Sequence, residues 1–480
     1  MAALPVLEEA HAFELNTQPA PYLSSPIPRP RPTAGNNSNF LPLHFLIVGC
    51  GLGGMAAAHC LGRAGHRVTV LDGASKLDDV GAGIQISPNV SRLLIRWGLG
   101  KELRDAMVKP LAITFRRYNT GQRVGWTQWG ETMDREYGAP YCHVHRADLI
   151  SMLFKLASPY MQLHLNSRVV SVDPERGTAT VASGRTFAAD VILGADGVKS
   201  MLREVVVGRP DKPIPTGDAA YRAVIPTSEM LKHPELRPLV ECPEMTGWIG
   251  PGRHVMAYCI RARAEYNLVM LHPDRGTRPG EAYDVPGSVA QMRADYAGWE
   301  PRVEKLLSLV SHTLIWPLYD RDPLETWVHP AGRVALLGDA CHPMLPYRAQ
   351  GSAMAGVLFS RITSRRQIPL LLEAYQTQRY PRTTTTQLDS RANQKIFHYP
   401  DGPEQRARDA SMREAMEDAV RVARGELPER SNLGGNANVW ADQRKNRIQF
   451  GYDAEAEAER WWSTVRLVDS ESELEMEFKL

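Results

Sequence analysis

Residues His44 to Asp72, HFLIVGCGLGGMAAAHCLGRAGHRVTVLD, read as strand, glycine turn, helix and second strand in one continuous unit, and they restrict the chain more than any other stretch. Phe45 to Val48 is a short apolar run suited to a buried parallel strand. Gly49, Gly51 and Gly54 follow with GxGxxG spacing. The first glycine allows a tight turn, the second lets backbone approach a pyrophosphate, and the third lets a helix lie close to the sheet. Phosphate charge then sits at the free N–H groups and positive dipole end of a helix starting near Leu52. Arg67 to Leu71 supplies the second strand, and Asp72 ends it where an acid can accept hydrogen bonds from a ribose. Alone, GxGxxG is a weak signal; a strand before it, a helix after it and a terminal acid make it a strong one.

A chain of 480 residues suggests two or three domains or subdomains. Its 56 Lys and Arg nearly balance 54 Asp and Glu, which leaves no electrostatic case for nucleic acid or an anionic membrane as main partner. Cys50, Cys60, Cys142, Cys242, Cys259 and Cys341 lack CxxC or Cys/His ligand spacing, so they read as buried reduced thiols of a cytoplasmic protein with no metal site. No apolar run reaches the roughly 18 to 20 residues of a transmembrane segment. Residues 1–43 lack the pattern of a secretion signal, and their prolines favour an extended arm outside the fold.

Further along, Val80 to Asn89 (VGAGIQISPN) reads as a loop bringing backbone close to something flat, followed by a helix over Val90 to Trp97 that Gly98 stops. Residues 111–130 alternate like strands around a turn at Asn119-Thr120-Gly121, and a helix begins near Ala147 with Arg146 at its edge. Val191 to Leu193 is a buried strand that delivers Asp196-Gly197 to a strand end. From about Asp218 the pattern turns antiparallel, with strands at Ala220 to Ile225, Gly247 to Ile249, His254 to Ile260, Tyr266 to His272 and Thr313 to Leu318. Helices are expected over Ser288 to Ala297 and Val303 to Leu309. Tyr221, Trp248, Tyr258, Trp316 and Tyr319 make this portion the candidate substrate-facing layer. Arg333 to Leu337 is another buried strand, leading into GDACHPMLPYRAQGSAMA, where Asp339 stands at a strand terminus and Gln350-Gly351-Ser352 opens a helix. His342, with no neighbouring ligand set, reads as structural. The segment from Tyr380 onward is polar, arginine-rich and helical in pattern.

Three strand ends with glycine-bearing turns, at 49–54, 190–203 and 338–352, suit one long ligand lying along one sheet edge. In number and order they resemble the single-component flavoprotein aromatic hydroxylases, in particular the salicylate-hydroxylase-like branch, over roughly residues 44–460. The resemblance implies an α/β fold: a GR2-type FAD-binding Rossmann-like domain (44–217 and 321–379), an inserted antiparallel β-sheet substrate domain (218–320) and a helical C-terminal region (380–480). It implies FAD as cofactor, NAD(P)H as transient cosubstrate and dioxygen as oxidant, with hydroxylation of an aromatic or phenolic small molecule through a flavin 4a-hydroperoxide, in secondary metabolism. By the same resemblance, Gly49, Gly51 and Gly54 face the pyrophosphate and Asp72 the ribose, where glutamate is more usual. Gly83 lies on a flavin-contacting loop, and Arg146 holds the phosphate or ribityl region. Asp196 is the acid of the DG motif, Asp339 binds the ribityl chain, and Gly351 and Ser352 adjoin the isoalloxazine. Arg222 and Tyr258 are the catalytic candidates at the reacting centre, with Cys259 where proline is common. The chain departs from its relatives after Ala355, where about seven helical residues including an acidic pair are missing, a shortening of roughly 10 Å that is expected to loosen FAD binding. The alternatives are an epoxidase or oxidase of an alkene-bearing natural product, and a catalytically impaired flavoprotein.

Overall fold

The computed structural model describes residues 40–77, 82–275, 285–344, 358–426, 435–469 and 474–478. Strand β1 (His44–Val48), helix α1 (Leu52–Arg63) and strand β2 (Arg67–Leu71) form the opening unit. Next come β3 (Gly83–Ile86), the hairpin β4 (Ala112–Arg117) and β5 (Arg123–Gln128), β6 (Cys142–His145), α2 (Arg146–Ala157) and β7 (Met161–His164). A meander of β8 (Val169–Asp173), β9 (Thr178–Val181) and β10 (Thr186–Ala188) leads to β11 (Val191–Gly194) and α3 (Leu202–Val207). The middle of the chain holds β12 (Ile214–Pro226), β13 (Met245–Gly250), β14 (Arg253–Ile260), β15 (Glu265–Pro273), β16 (Val285–Gly287), α4 (Val289–Asp295), α5 (Pro301–Ser308) and β17 (Thr313–Asp320). Strand β18 (Val334–Leu336) precedes two long helices, α6 (Ile368–Phe397) and α7 (Pro403–Ala423).

The first sheet has five strands in the order β18, β11, β1, β2, β7, with every neighbouring pair parallel. Its central strands are apolar on both faces because both faces are covered. Phe45, Leu46, Ile47, Val191 and Ile192 are all fully buried. Helix α1 packs tightly between its neighbours, with the small Ala56, Ala57 and Ala58 all buried.

The second sheet has eight strands in the order β16, β17, β12, β15, β14, β13, β4, β5. Alternation sorts its side chains. One face sends Tyr221, Trp248, Cys259, Leu268 and Met270 into a core with Met292, Tyr296, Val303 and Leu306 from α4 and α5. The opposite face carries Ala220, Met256 and Tyr258 toward the rest of the molecule. Of the aromatics expected to face substrate, Tyr221 and Trp248 point into the core packed by α4 and α5, since their strand parity is opposite to that of Tyr258.

Several expectations are corrected. The 112–128 hairpin lies within the stretch read as the first half of the cofactor domain, yet β4 pairs in parallel with β13 and the hairpin extends the second sheet. The loop read over Val80 to Asn89 contains β3, paired antiparallel to β6. The helix over Val90 to Trp97 does break at Gly98, which takes φ 106° at a kink, and a separate helix begins directly after it over Gly100–Ala106. Phe40 to Leu43, placed with the arm, belong to the body, with the Leu41 N–H bonded to Ile362 O at 2.9 Å and Leu43 buried. Residues 1–39 lie outside the described residues. The helical tail ends in a strand pair, Val465–Asp469 and Leu474–Phe478, whose alternating sequence was hidden among charges. All six cysteines are free, and Cys242 is exposed where burial was expected.

A buried arginine that sequence reading passed over ties the sheet edge together. Arg203 of α3 is 1% exposed; it pairs with Asp211 at 2.6 Å and donates to Cys341 O at 2.9 Å and Asp322 O at 2.6 Å. Arg203→Met strands these acceptors and is expected to destabilise the protein by roughly 3 kcal/mol, read as a lower denaturation midpoint in calorimetry.

Candidate active site

Parallel pairing sets the carboxyl ends of β1, β2, β11 and β18 side by side, and hydrogen bonds continue beyond the last paired residues. The Gly49 N–H donates to Leu71 O, the Ala195 N–H to Val48 O and the Leu337 N–H to Gly194 O, each at 2.8 Å. The turns at 49–54, 195–197 and 337–342 thus follow one another along a single edge, where ligands of open parallel sheets bind.

The glycine turn fits a pyrophosphate for steric reasons that differ among its three glycines. A Cβ on Gly49 would stand 2.3 Å from Ala195 O, and one on Gly54 would stand 2.0 Å from Gly49 O. A Cβ on Gly51 would meet no atom of the described residues within 4 Å. Two glycines therefore permit the fold of the turn, while the third leaves its outer side open to a phosphate at the N-terminus of α1. Asp72 braces this turn: its Oδ2 accepts from the Cys50 N–H at 2.6 Å and its Oδ1 from the Ala74 N–H at 2.8 Å. Each oxygen keeps a second lone-pair direction for a ribose hydroxyl.

Asp196 caps the helix after its strand, accepting from the Met201 N–H at 2.9 Å. Among the described residues its Oδ1 has no hydrogen-bond partner, and burial raises its carboxyl above the usual range. Asp339 stays solvent-exposed, yet desolvation by the surrounding protein pushes its carboxyl up to about 6, with the charge of Arg146 opposing the shift. Arg146 opens α2, its own N–H bonded to Ala82 O at 2.9 Å. The fold thus brings Gly49, Gly51, Gly54, Asp72, Arg146, Asp196 and Asp339 to one edge. Gly351 and Ser352, with the break after Ala355, lie outside the described residues.

Gly83 occupies a different kind of place. It sits where the β3–β6 ribbon meets the second sheet: its N–H donates to Asn267 Oδ1 at 2.6 Å, and a Cβ there would stand 2.6 Å from Tyr258 Cε2. Tyr258 pairs with Asn267 across β14 and β15, and Arg222 pairs with Val269 across β12 and β15, so Arg222 and Tyr258 share one face two strands apart. The Arg222 guanidinium stacks over Trp316 at 3.9 Å from the ring centroid. Burial pushes the Tyr258 phenol up to about 12, although Arg222 and a hydrogen bond from Gln85 favour its ionised form, so it stays protonated at neutral pH. Gln85 also accepts from Tyr141 Oη at 2.7 Å, linking two buried phenols through one amide. His143 packs on Tyr258 with centroids 4.2 Å apart, and burial holds it neutral with a pKa of about 3. Sequence reasoning missed Gln85, Tyr141, His143 and Asn267; the alternation in GIQI and CHVH was the available signal, masked by two nearby glycines and a helix start. Among the described residues, no cluster of three or more His, Cys, Asp or Glu side chains could hold a metal ion. No described helix is long and apolar enough to cross a membrane.

A glycine cradle, a braced acid and an acid-lined sheet edge opposite a polar sheet face define an FAD-binding oxidoreductase. The FAD binding domain family matches residues 43–279. FAD-dependent monooxygenase OpS4 of Beauveria bassiana is 36% identical over 385 residues, which cover 77% of this chain and 89% of that protein. A 6-hydroxynicotinate 3-monooxygenase of Bordetella bronchiseptica is 38% identical over 312 residues, 64% of this chain and 79% of that protein. Salicylate hydroxylase, solved as a substrate complex, superposes with a TM-score of 0.65 at 27% identity, over 83% of this chain and 98% of the other. The chain belongs to the FAD-dependent aromatic monooxygenases.

Two tests follow from the geometry. Gly54→Ala forces a Cβ into backbone and is expected to cost about 1–3 kcal/mol of apoprotein stability together with FAD binding, whereas Gly51→Ala keeps the apoprotein melting temperature and loses only FAD affinity in titration. Asp339 holds its proton more tightly folded than unfolded, so its presence weakens the apoprotein as pH rises from about 4 to 6. Apo Asp339→Asn is therefore expected to exceed wild type by roughly 1 kcal/mol at pH 8 after allowance for solvent screening, the gap closing below pH 4 in thermal melts, while its FAD affinity falls.

Proposed function

We propose that the protein is a cytoplasmic enzyme that uses NAD(P)H and dioxygen to hydroxylate a phenolic or aromatic-acid substrate held between Arg222, Trp316 and Tyr258. The observation that carries this reading is a cation stacked on an aromatic ring beside a protonated buried phenol, on the sheet face that meets the β3–β6 ribbon. A planar anion suits that arrangement: the guanidinium binds a carboxylate or phenolate through paired N–H donors. Tyr258 donates its proton as a hydrogen bond to the substrate oxygen, and the Gln85 amide, itself held by Tyr141, keeps the phenol in that direction. Neutral His143 against the Tyr258 ring adds bulk that excludes water without adding charge. Bound FAD supplies the activation of dioxygen and the oxygen transfer. Asp72, Arg146, Asp196 and Asp339, with the glycine turn, hold that cofactor along the sheet edge.

The test is NAD(P)H consumption by the FAD-loaded protein against a panel of phenols, aromatic acids and isoprenoid alkenes, with products analysed for an added oxygen atom. Phenolic or aromatic-acid substrates alone are expected to accelerate consumption and gain a hydroxyl; acceleration only by alkenes assigns an epoxidase, and no flavin bleaching by NAD(P)H with any ligand assigns a non-turning-over flavoprotein. Arg222→Met is expected to raise KM for carboxylated substrates roughly tenfold or more, and Tyr258→Phe to lower kcat about 10–100-fold with a smaller change in KM.

A further inference from the structure

Beneath the turn that presents Asp339 lies a second polar cluster that neither the cofactor edge nor the substrate face uses. Arg379, on the inward side of α6, is 8% exposed; Tyr375, one turn earlier, is 4% exposed, and His342, just after the 338–341 turn, is 3% exposed. Among the described residues, the Arg379 Nε and both ring nitrogens of His342 are buried without a hydrogen-bond partner, and the Tyr375 hydroxyl stands against the Arg379 guanidinium. Trp327 forms a shared wall, with ring centroids 5.2 Å from His342 and 5.9 Å from Tyr375.

The charge around this cluster is one-sided. The charges acting on His342 come from Arg379, Arg382 and Arg203, all of them positive, and burial and those charges hold its ring neutral with a pKa of about 3. Arg382 is lowered to about 10 by burial and by the Arg379 charge. Among the described residues no carboxylate forms an ion pair with Arg379. Between Asp339 and Glu373 the sequence contains no Asp or Glu, so the intervening chain offers no acid of its own. Asp339 is itself exposed and feels the charge of Arg146, and Glu373 is exposed.

Unpartnered buried donors of this kind call for an unseen ion or water. A buried guanidinium without a counter-charge is strongly unfavourable, and its planar fork matches two oxygens of one oxyanion. The phenol of Tyr375 and the N–H of neutral His342 are further donors. We propose that Arg379, Tyr375 and His342 form a buried binding site for a small oxyanion, a carboxylate or a phosphate, which supplies the missing negative charge between α6 and the 338–342 turn. The site is separate from substrate and cofactor binding, and it locks the long helix to the turn that carries Asp339.

The test uses the FAD-loaded protein, so that the pyrophosphate cradle is already filled. Thermal melts are recorded with sodium acetate or inorganic phosphate at constant ionic strength, balanced with a bulky sulfonate salt. Wild type is expected to show a saturable rise of several degrees, the more effective anion identifying the class, with no rise in Arg379→Met and a midpoint shifted tenfold or more in Tyr375→Phe. A bromide soak of wild-type crystals gives a readout independent of whether either variant folds: an anomalous peak against the Arg379 guanidinium is expected. A rise with ionic strength alone, an equal rise in Arg379→Met, or ordered water with no anomalous peak at Arg379 overturns the proposal.

Discussion

Three backbone hydrogen bonds, from Gly49 to Leu71, Ala195 to Val48 and Leu337 to Gly194, hold the strand ends of the first sheet in line. They join stretches nearly 290 residues apart, and everything chemical on that edge depends on them. Each satisfies a backbone N–H just where regular pairing stops and the chain turns to face a ligand. Such termini require bare backbone and tight turns, hence the glycines. They also concentrate positive dipole ends and acids in one groove, where a ligand bearing both phosphates and hydroxyls is matched along its length.

The second constraint is the seam between the sheets. Gly83, Tyr258 and Asn267 meet where a larger side chain would drive β3 away from the second sheet, so the close approach of β3 to that sheet rests on one missing Cβ and one 2.6 Å hydrogen bond. Burial then sets the protonation of the groups nearby. Tyr258 is kept protonated and His143 neutral, while Asp339 is brought to about 6.

Much of the cofactor edge was legible from local pattern because its signals are short: an apolar strand, a glycine turn and a terminal acid within some thirty residues. The second sheet was half legible. Strand alternation placed β12, β14 and β15, but which parity faces inward depends on what packs on each side, so Tyr221 and Trp248 looked as eligible as Tyr258 and Trp316. The hairpin at 112–128 could not be assigned to a sheet from its own residues, since its partner β13 lies more than a hundred residues away. Arg203 carried no local signal at all, its acceptors coming from Asp211, Asp322 and Cys341.

By itself the sequence determined the phosphate-cradling unit, the parallel and antiparallel halves and the acids at strand ends, because those follow from side-chain periodicity and from what glycine alone permits. Tertiary structure decided which face each aromatic serves, that Gln85, Tyr141 and His143 stand behind Tyr258, and that Arg379 is buried away from any described carboxylate. These depend on distances between residues remote in the chain, and therefore on burial and on charges that no local pattern encodes.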